Sequence, residues 1–443
     1  MVKKALLSIV AASSLLAVNC DAPNNNIEDL LSCAKSELLL KNPNAKVYLQ
    51  TISVPKNQQD PQYYDFLFAK YNEAFLKIKA QLALKVAGEL ITSEIASKDD
   101  KSKMPPELVE EFLNKEIERQ KRISENKIEN GFFDKLMGKI FSDSEEAPAY
   151  QLKPEQEKEL KIQAKQTLYS NSFKEKMNKV AREEIAGLIP YENFIVVNDN
   201  GETEIGIVAY TSAKSRELAR ALASGYKAKA AKNENACKSA DEVVSKIGGS
   251  DEKINKLGLT FFYNEECQPS LLAYGMDSYK VEEGMTNEYK NSSYSMAQAL
   301  AEKALANFVS SSIYTYTNAE KVTENIQTAY KEIVEDNSGK RATGGKQTTA
   351  NSYSHLEEFF SSNAQMSLVG VEVANKWTKQ FDDFGVAGVI LYYSPSSVAG
   401  AKQERLEIKG NLDNKSKQEA KAKGAKPANA NIIRSKNIEV DDF

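Results

Sequence analysis

The chain has a single histidine, His355, among 443 residues. That scarcity excludes a His-rich metal centre, and any Ser-His-Asp arrangement would have to use this one residue. No G-x-S-x-G turn accompanies it; His355 lies at a helix start between Ser354 and Glu357 and reads as a solvent-facing or capping side chain. Cysteine is scarce too, and the spacing of its four copies fits no zinc cluster. Net charge is small: 58 Lys and Arg against 62 Asp and Glu leave -4, so no global field steers the chain onto nucleic acid or an anionic membrane. Past Val18 no apolar run is long enough to form a transmembrane helix, so no integral membrane segment is expected after processing.

What is present begins with a leader. Lys3 and Lys4 precede an apolar stretch from Ala5 to Val18, the pattern of a secretory signal peptide over residues 1–20, with cleavage after Cys20 leaving Asp21 as the new terminus. The mature chain is then periplasmic or secreted. Lipidation of Cys20, which would attach it to the outer membrane, is the alternative; Asn19 stands where Gly, Ala or Ser usually precedes a lipidated cysteine. An oxidising compartment would join Cys237 to Cys267, closing a loop that contributes about 3 kcal/mol. Cys33 is left over, as a buried free thiol or a partner for an uncleaved Cys20 or another molecule.

One short stretch occurs twice. Gly206-Ile207-Val208-Ala209-Tyr210-Thr211-Ser212 and Gly388-Val389-Ile390-Leu391-Tyr392-Tyr393-Ser394 align without a gap, each a β-branched and aromatic run that ends at a Ser before helix-starting residues. Upstream of each lies an Ala-rich helix, at Tyr71 to Ile95 and at Tyr294 to Ile313, and before each strand a hairpin: Asn198 to Gly201 turns the first, Asp382 to Gly385 the second, with Leu368 to Val373 as its opening strand. The predicted fold is α+β, two similar units that each pack a long Ala-rich helix on a small antiparallel sheet. They span residues 34–232 and 233–405, with a disordered tail over 406–443. A charged helical insertion over 99–165 belongs to the first unit alone, and its two helices are expected to project as an antiparallel hairpin with solvated faces.

Few residues offer chemistry. Ser212 and Ser394 end their strands and could donate to a ligand or act as nucleophiles, but a Ser before a helix is first an N-cap worth about 1 kcal/mol. Gly339 to Thr348 resembles a phosphate loop only superficially: an extra Gly precedes Lys346, Gln347 follows it, and no strand leads in. Trp377 and the pairs Tyr63-Tyr64 and Tyr392-Tyr393 suit sheet faces and edges. No catalytic residue, cofactor or metal is called for.

With these paired helices and Gly-to-Ser strands, the chain resembles an uncharacterised domain-of-unknown-function family of exported Gram-negative bacterial proteins. More distantly, the helix-on-sheet unit is similar to small outer-membrane lipoproteins of the LPP type and to the N-terminal part of a flagellar assembly protein. The resemblance implies residence in the cell envelope and no known catalysis. The expected function is a non-enzymatic scaffold or partner-binding protein, with an envelope protein as partner and a sheet edge or the charged helices as its surface. A periplasmic ligand-binding module, with a cleft between the units where Ser212 and Ser394 converge, is the alternative; a Ser-dependent hydrolase ranks third.

Overall fold

A computed structural model describes residues 26–98, 106–125, 154–198, 201–224, 237–335, 352–362, 370–398 and 435–436. The leader, the run Gly339 to Thr348, and the tail apart from its last strand lie outside the described residues. The first part of the chain runs α1 (Ile27–Lys41), β1 (Lys46–Val54), α2 (Tyr63–Lys98), α3 (Pro106–Glu125), α4 (Pro154–Leu168), α5 (Asn171–Val180), a π turn (Ala181–Ile185), β2 (Ile189–Val197), β3 (Thr203–Thr211) and α6 (Ala213–Ser224). The second runs α7 (Ala240–Ile247), α8 (Ser250–Lys253), β4 (Leu259–Tyr263), β5 (Pro269–Lys280), α9 (Thr286–Thr317), α10 (Ala319–Glu335), α11 (Ser352–Ser362), β6 (Glu372–Gln380) and β7 (Phe384–Tyr393), with β8 (Ser435–Lys436) in the tail.

The fold is α+β, with two small antiparallel sheets ordered β1-β3-β2-β8 and β4-β5-β7-β6. Within them one connectivity recurs. A strand enters a long helix, a hairpin follows, and the second hairpin strand inserts beside the first strand, giving β1-β3-β2 and β5-β7-β6. Even the irregularity recurs: β2 bulges at Tyr191, where Pro190 faces Ala209 and Glu192 faces Val208, and β6 bulges at Ala374, where Val373 faces Leu391 and Asn375 faces Ile390. The first hairpin closes with the Gly201 N–H donating to the Asn198 carbonyl at 2.8 Å, and Gly201 takes a φ of +81° that an L side chain resists. The second closes at Phe381, whose N–H donates to the Phe384 carbonyl. Its opening strand is therefore Glu372–Gln380, several residues beyond the apolar run expected to form it. Exposure explains the difference: β6 is an edge strand with mixed polarity, so alternation of apolar residues marks it poorly.

Each sheet lies between helices. Gln81 on α2 donates to Gln50 on β1 at 2.8 Å, and α1 covers the opposite face, where a Cβ on Gly206 would meet Ile27 and Leu31 at 3.0 Å. On the second sheet Trp377 lies across Gly388 so closely that a Cβ there would be 2.0 Å from the indole. The glycine that opens each copy of the repeat is thus the place where a neighbour rests on the strand. One continuous core joins the sheets and long helices, with Leu82, Ile91, Phe261, Phe308 and Ile390 among its fully buried side chains.

The charged helices do not project. Val109, Phe112 and Leu113 of α3 and Leu160, Ala164 and Leu168 of α4 are buried, and both helices pack on α2. The cause is visible in α2, which buries Leu76, Ile78, Ala80, Leu82, Leu84 and Val86 and so is apolar on nearly every side. One sheet cannot cover such a helix, and the apolar stripes of α3, α4 and α11 supply the rest.

Candidate partner-binding edges

A strand at the border of a sheet leaves a row of backbone N–H and C=O groups unpaired, and such a row is a template for another extended chain. On the first sheet that border is β2, and the chain itself uses it: Glu192 and Asn193, the two residues after the bulge, pair with Lys436 and Ser435 of β8. The tail read as structureless therefore contains one short strand with a defined seat. On the second sheet the corresponding border is β6, and among the described residues no strand pairs with its outer side. Two ties from α8 hold β6 in place on one face: Lys253 Nζ donates to Asn375 Oδ1 at 3.0 Å, and Lys379 pairs with Asp251 at 2.9 Å. On the other face Lys376 is exposed, its ammonium 5.4 Å from the centre of the Tyr294 ring, and Val373 is 47 % exposed.

Ser212 and Ser394 are almost fully buried and occupy the same kind of box. Ser212 Oγ accepts from the Ser215 N–H at 3.1 Å while the Ser212 N–H donates to Ser215 Oγ at 2.7 Å; Ser394 and Ser397 repeat both bonds at 2.9 and 3.0 Å. This reciprocal arrangement satisfies donors at a helix start. The partner serines, Ser215 and Ser397, escaped the sequence reading, although the Ser-x-x-Ser spacing at both strand ends was there to find.

Cys237 and Cys267 are joined, with Cα atoms 5.1 Å apart, which ties the segment before α7 to the β4–β5 turn. Cys33 is also disulfide-bonded, not free, and its partner lies outside the described residues. His355 Nε2 lies 3.2 Å from Asn325 Oδ1 and joins α11 to α10.

Three ionisable side chains that the sequence does not flag are buried, Lys79, Glu94 and Glu192, and the lysine is the cation among them. Lys79 is fully enclosed between α2, α9 and α11; its ammonium donates to Ser311 Oγ at 2.6 Å and sits 5.4 Å from the centre of the Phe360 ring, and burial pulls its pKa down to about 7. The signal was its position four residues after Phe75 and four before Ala83, on the apolar face of the helix. Two half-buried carboxyls also rise: Asp65 to about 6, through burial and then the charge of Asp277, and Glu357 to about 7, through burial. Among the described residues no group of three or more His, Cys, Asp or Glu could hold a metal ion, and no helix is long and apolar enough to cross a membrane.

A family model described as a domain of unknown function, DUF6844, matches residues 147–224, the stretch that holds α4, α5, the β2–β3 hairpin and α6. No curated protein matches the chain. Among solved structures, the 2.3 Å crystal structure of a hypothetical protein from Francisella tularensis is similar at 17 % identity, with a TM-score of 0.46, covering 84 % of this chain and 91 % of that one. Neither match is to a lipoprotein or a flagellar assembly protein, and the family likeness thus rests on the 147–224 segment.

Proposed function

We infer that the chain is a non-enzymatic cell-envelope protein that holds a partner protein along a sheet edge. The observation that carries this reading is β8 seated on β2: a short extended segment, far along the chain, is accepted at the residues that follow a bulge. The disulfide between Cys237 and Cys267 suits an oxidising compartment and so supports residence outside the cytoplasm. Against an activity stands the state of the hydroxyls. Those of Ser212 and Ser394 are engaged in their own boxes, and Ser311, which accepts from Lys79, is 1 % exposed. A nucleophile needs an approach that such burial denies.

The test is site-specific photocrosslinking in cells that make the full chain naturally. A crosslinker at Val373, on β6, should capture one defined envelope protein that a crosslinker at the exposed Glu320, on α10, does not capture. Retention of the chain in the cytoplasm with Met1 in place, or the same products from both positions, would overturn the reading.

A further inference from the structure

The strand β8 occupies only part of its seat. It pairs with Glu192 and Asn193, whereas β2 runs from Ile189 to Val197, and among the described residues no strand faces the outer border from Phe194 to Val197. That stretch is apolar throughout, with Phe194 and Val196 buried, Ile195 half-buried and Val197 37 % exposed. An apolar border of this kind is a template for a longer strand.

The register set by β8 says which residues would meet it. Glu192 faces Lys436 and Asn193 faces Ser435 in an antiparallel pair, so each step back along the tail is a step forward along β2. Phe194 then falls opposite Arg434, Ile195 opposite Ile433 and Val196 opposite Ile432. Residues opposite each other in a ladder share a face. The two isoleucines therefore meet two β-branched residues of β2, and the register assigns Arg434 and Lys436 to the face of Phe194 and Glu192. That is the face under α1, because Phe194 pairs with Gly206, the glycine on which Ile27 and Leu31 rest. It is acidic where the tail cations would arrive. Glu204, paired with Val196 on the same face, has its pKa raised by burial and then by the charges of Glu202 and of Glu28 on α1.

We propose that residues Ile432 to Lys436 form one continuous strand along β2, a tethered occupant that keeps other extended chains off this edge until a partner displaces it. Apolar pairing and opposite charge both match the tail to the border, and the strand continues a pairing already present at Glu192 and Asn193. Residues 399–434 span roughly 120 Å when extended, so chain length does not force the strand onto a neighbouring molecule. The proposal rests on the sheet-edge reading and adds its regulation.

The test compares the purified full chain with its Ile432→Asp/Ile433→Asp variant, and with Ala422→Asp as a control elsewhere in the tail. Amide hydrogen exchange read by mass spectrometry should become about tenfold faster or more in the peptide covering Ile189 to Val197 of the double variant, and stay unaltered there in the control. Exchange in the peptide covering Leu259 to Lys280 should be the same in all three. Arg434→Glu with Lys436→Glu should also speed exchange at Ile189 to Val197. A capped peptide of residues 431–439 should bind the Ile432→Asp/Ile433→Asp variant about tenfold or more tightly than it binds the unaltered chain, whose edge is filled. Unchanged exchange at Ile189 to Val197 in the double variant, faster exchange in both peptides, or equal affinity of the capped peptide for both chains overturns the proposal. A dimer of the unaltered chain that the double variant converts to a monomer overturns it in favour of strand exchange between copies. The sheet-edge reading is tested separately, by crosslinking at Val373.

Discussion

Lys79 Nζ and Ser311 Oγ meet at 2.6 Å, with neither side chain in contact with water. The bond fastens α2 to α9 inside the core, and it gives a buried ammonium a hydroxyl in place of a carboxylate. A charge so placed costs stability, because a single neutral acceptor replaces little of its hydration.

Replacing the lysine with an unbranched apolar residue tests that cost. Lys79→Met should raise the unfolding free energy near neutral pH by about 1 kcal/mol or more, and Ser311→Ala should lower it by about 1–3 kcal/mol by stranding the ammonium. The pH slope follows from the pKa, about 7 in the folded chain against an ordinary 10.5. Between those values the unfolded chain holds more protons, so stability rises with pH, and Lys79→Met should remove that part of the slope in urea titrations.

Glu357 should act in the opposite direction below neutrality. Burial raises its pKa from 4.5 to about 7, with Lys77 opposing and Glu73 adding to the rise. The stability it contributes is full below pH 4.5 and is lost as pH rises through about 7. Together with Lys79 this predicts a shallow stability minimum near neutral pH. Thermal melts across that range should show it, and Glu357→Gln should flatten only the acidic side.

Ser212→Ala and Ser394→Ala should each cost about 1 kcal/mol, the usual loss for an N-cap, and the double variant should lose close to the sum. Denaturant melts measure this. Loss of partner capture by either variant at unchanged stability would show that these hydroxyls serve more than their helices.

Cys237→Ser with Cys267→Ser should lower stability by about 3 kcal/mol, since the bridge closes a separation of 30 residues. Peptide mapping without reductant should recover Cys33 in a disulfide as well. The chain has four cysteines, so cleavage after Cys20 would leave Cys33 no intrachain partner, and the mass of the linked peptide will place the processing site on one side of Cys20 or the other.

Much of this architecture was legible in the residues. The doubled Gly-to-Ser stretch marked both central strands, β3 and β7, because strands buried on both faces are continuous apolar runs. The bridge between Cys237 and Cys267 was legible from compartment and spacing. The edge strand β6 was misplaced because solvent exposure erases alternation, and α10 was not foreseen although Val322, Ile326, Ala329 and Ile333 fall on one buried face. The sequence predicts α3 and α4 as projections because their charge is a property of each helix alone. The need for a cover on α2 belongs to a neighbour, and only packing reveals it. The sequence suggests sheet edges as surfaces only as a class; the bulges in β2 and β6 are a matter of register, which single-strand patterns do not encode.

The order β1-β3-β2 also sets a timetable. β1 has no strand to pair with until β3 has been made, and the whole of α2, α3, α4, α5 and β2 comes between them. At about 5–20 residues per second of synthesis, that wait is on the order of 10 s. During it the apolar sides of β1 and α2 have only each other and the following helices for cover, whereas the hairpin β2–β3 can close as soon as it emerges. The second sheet has a shorter wait of the same kind, between β5 and β7, but β4 pairs with β5 at once across a tight turn. Late closure of the first sheet and an early start for the second follow from where the long helices interrupt the strands.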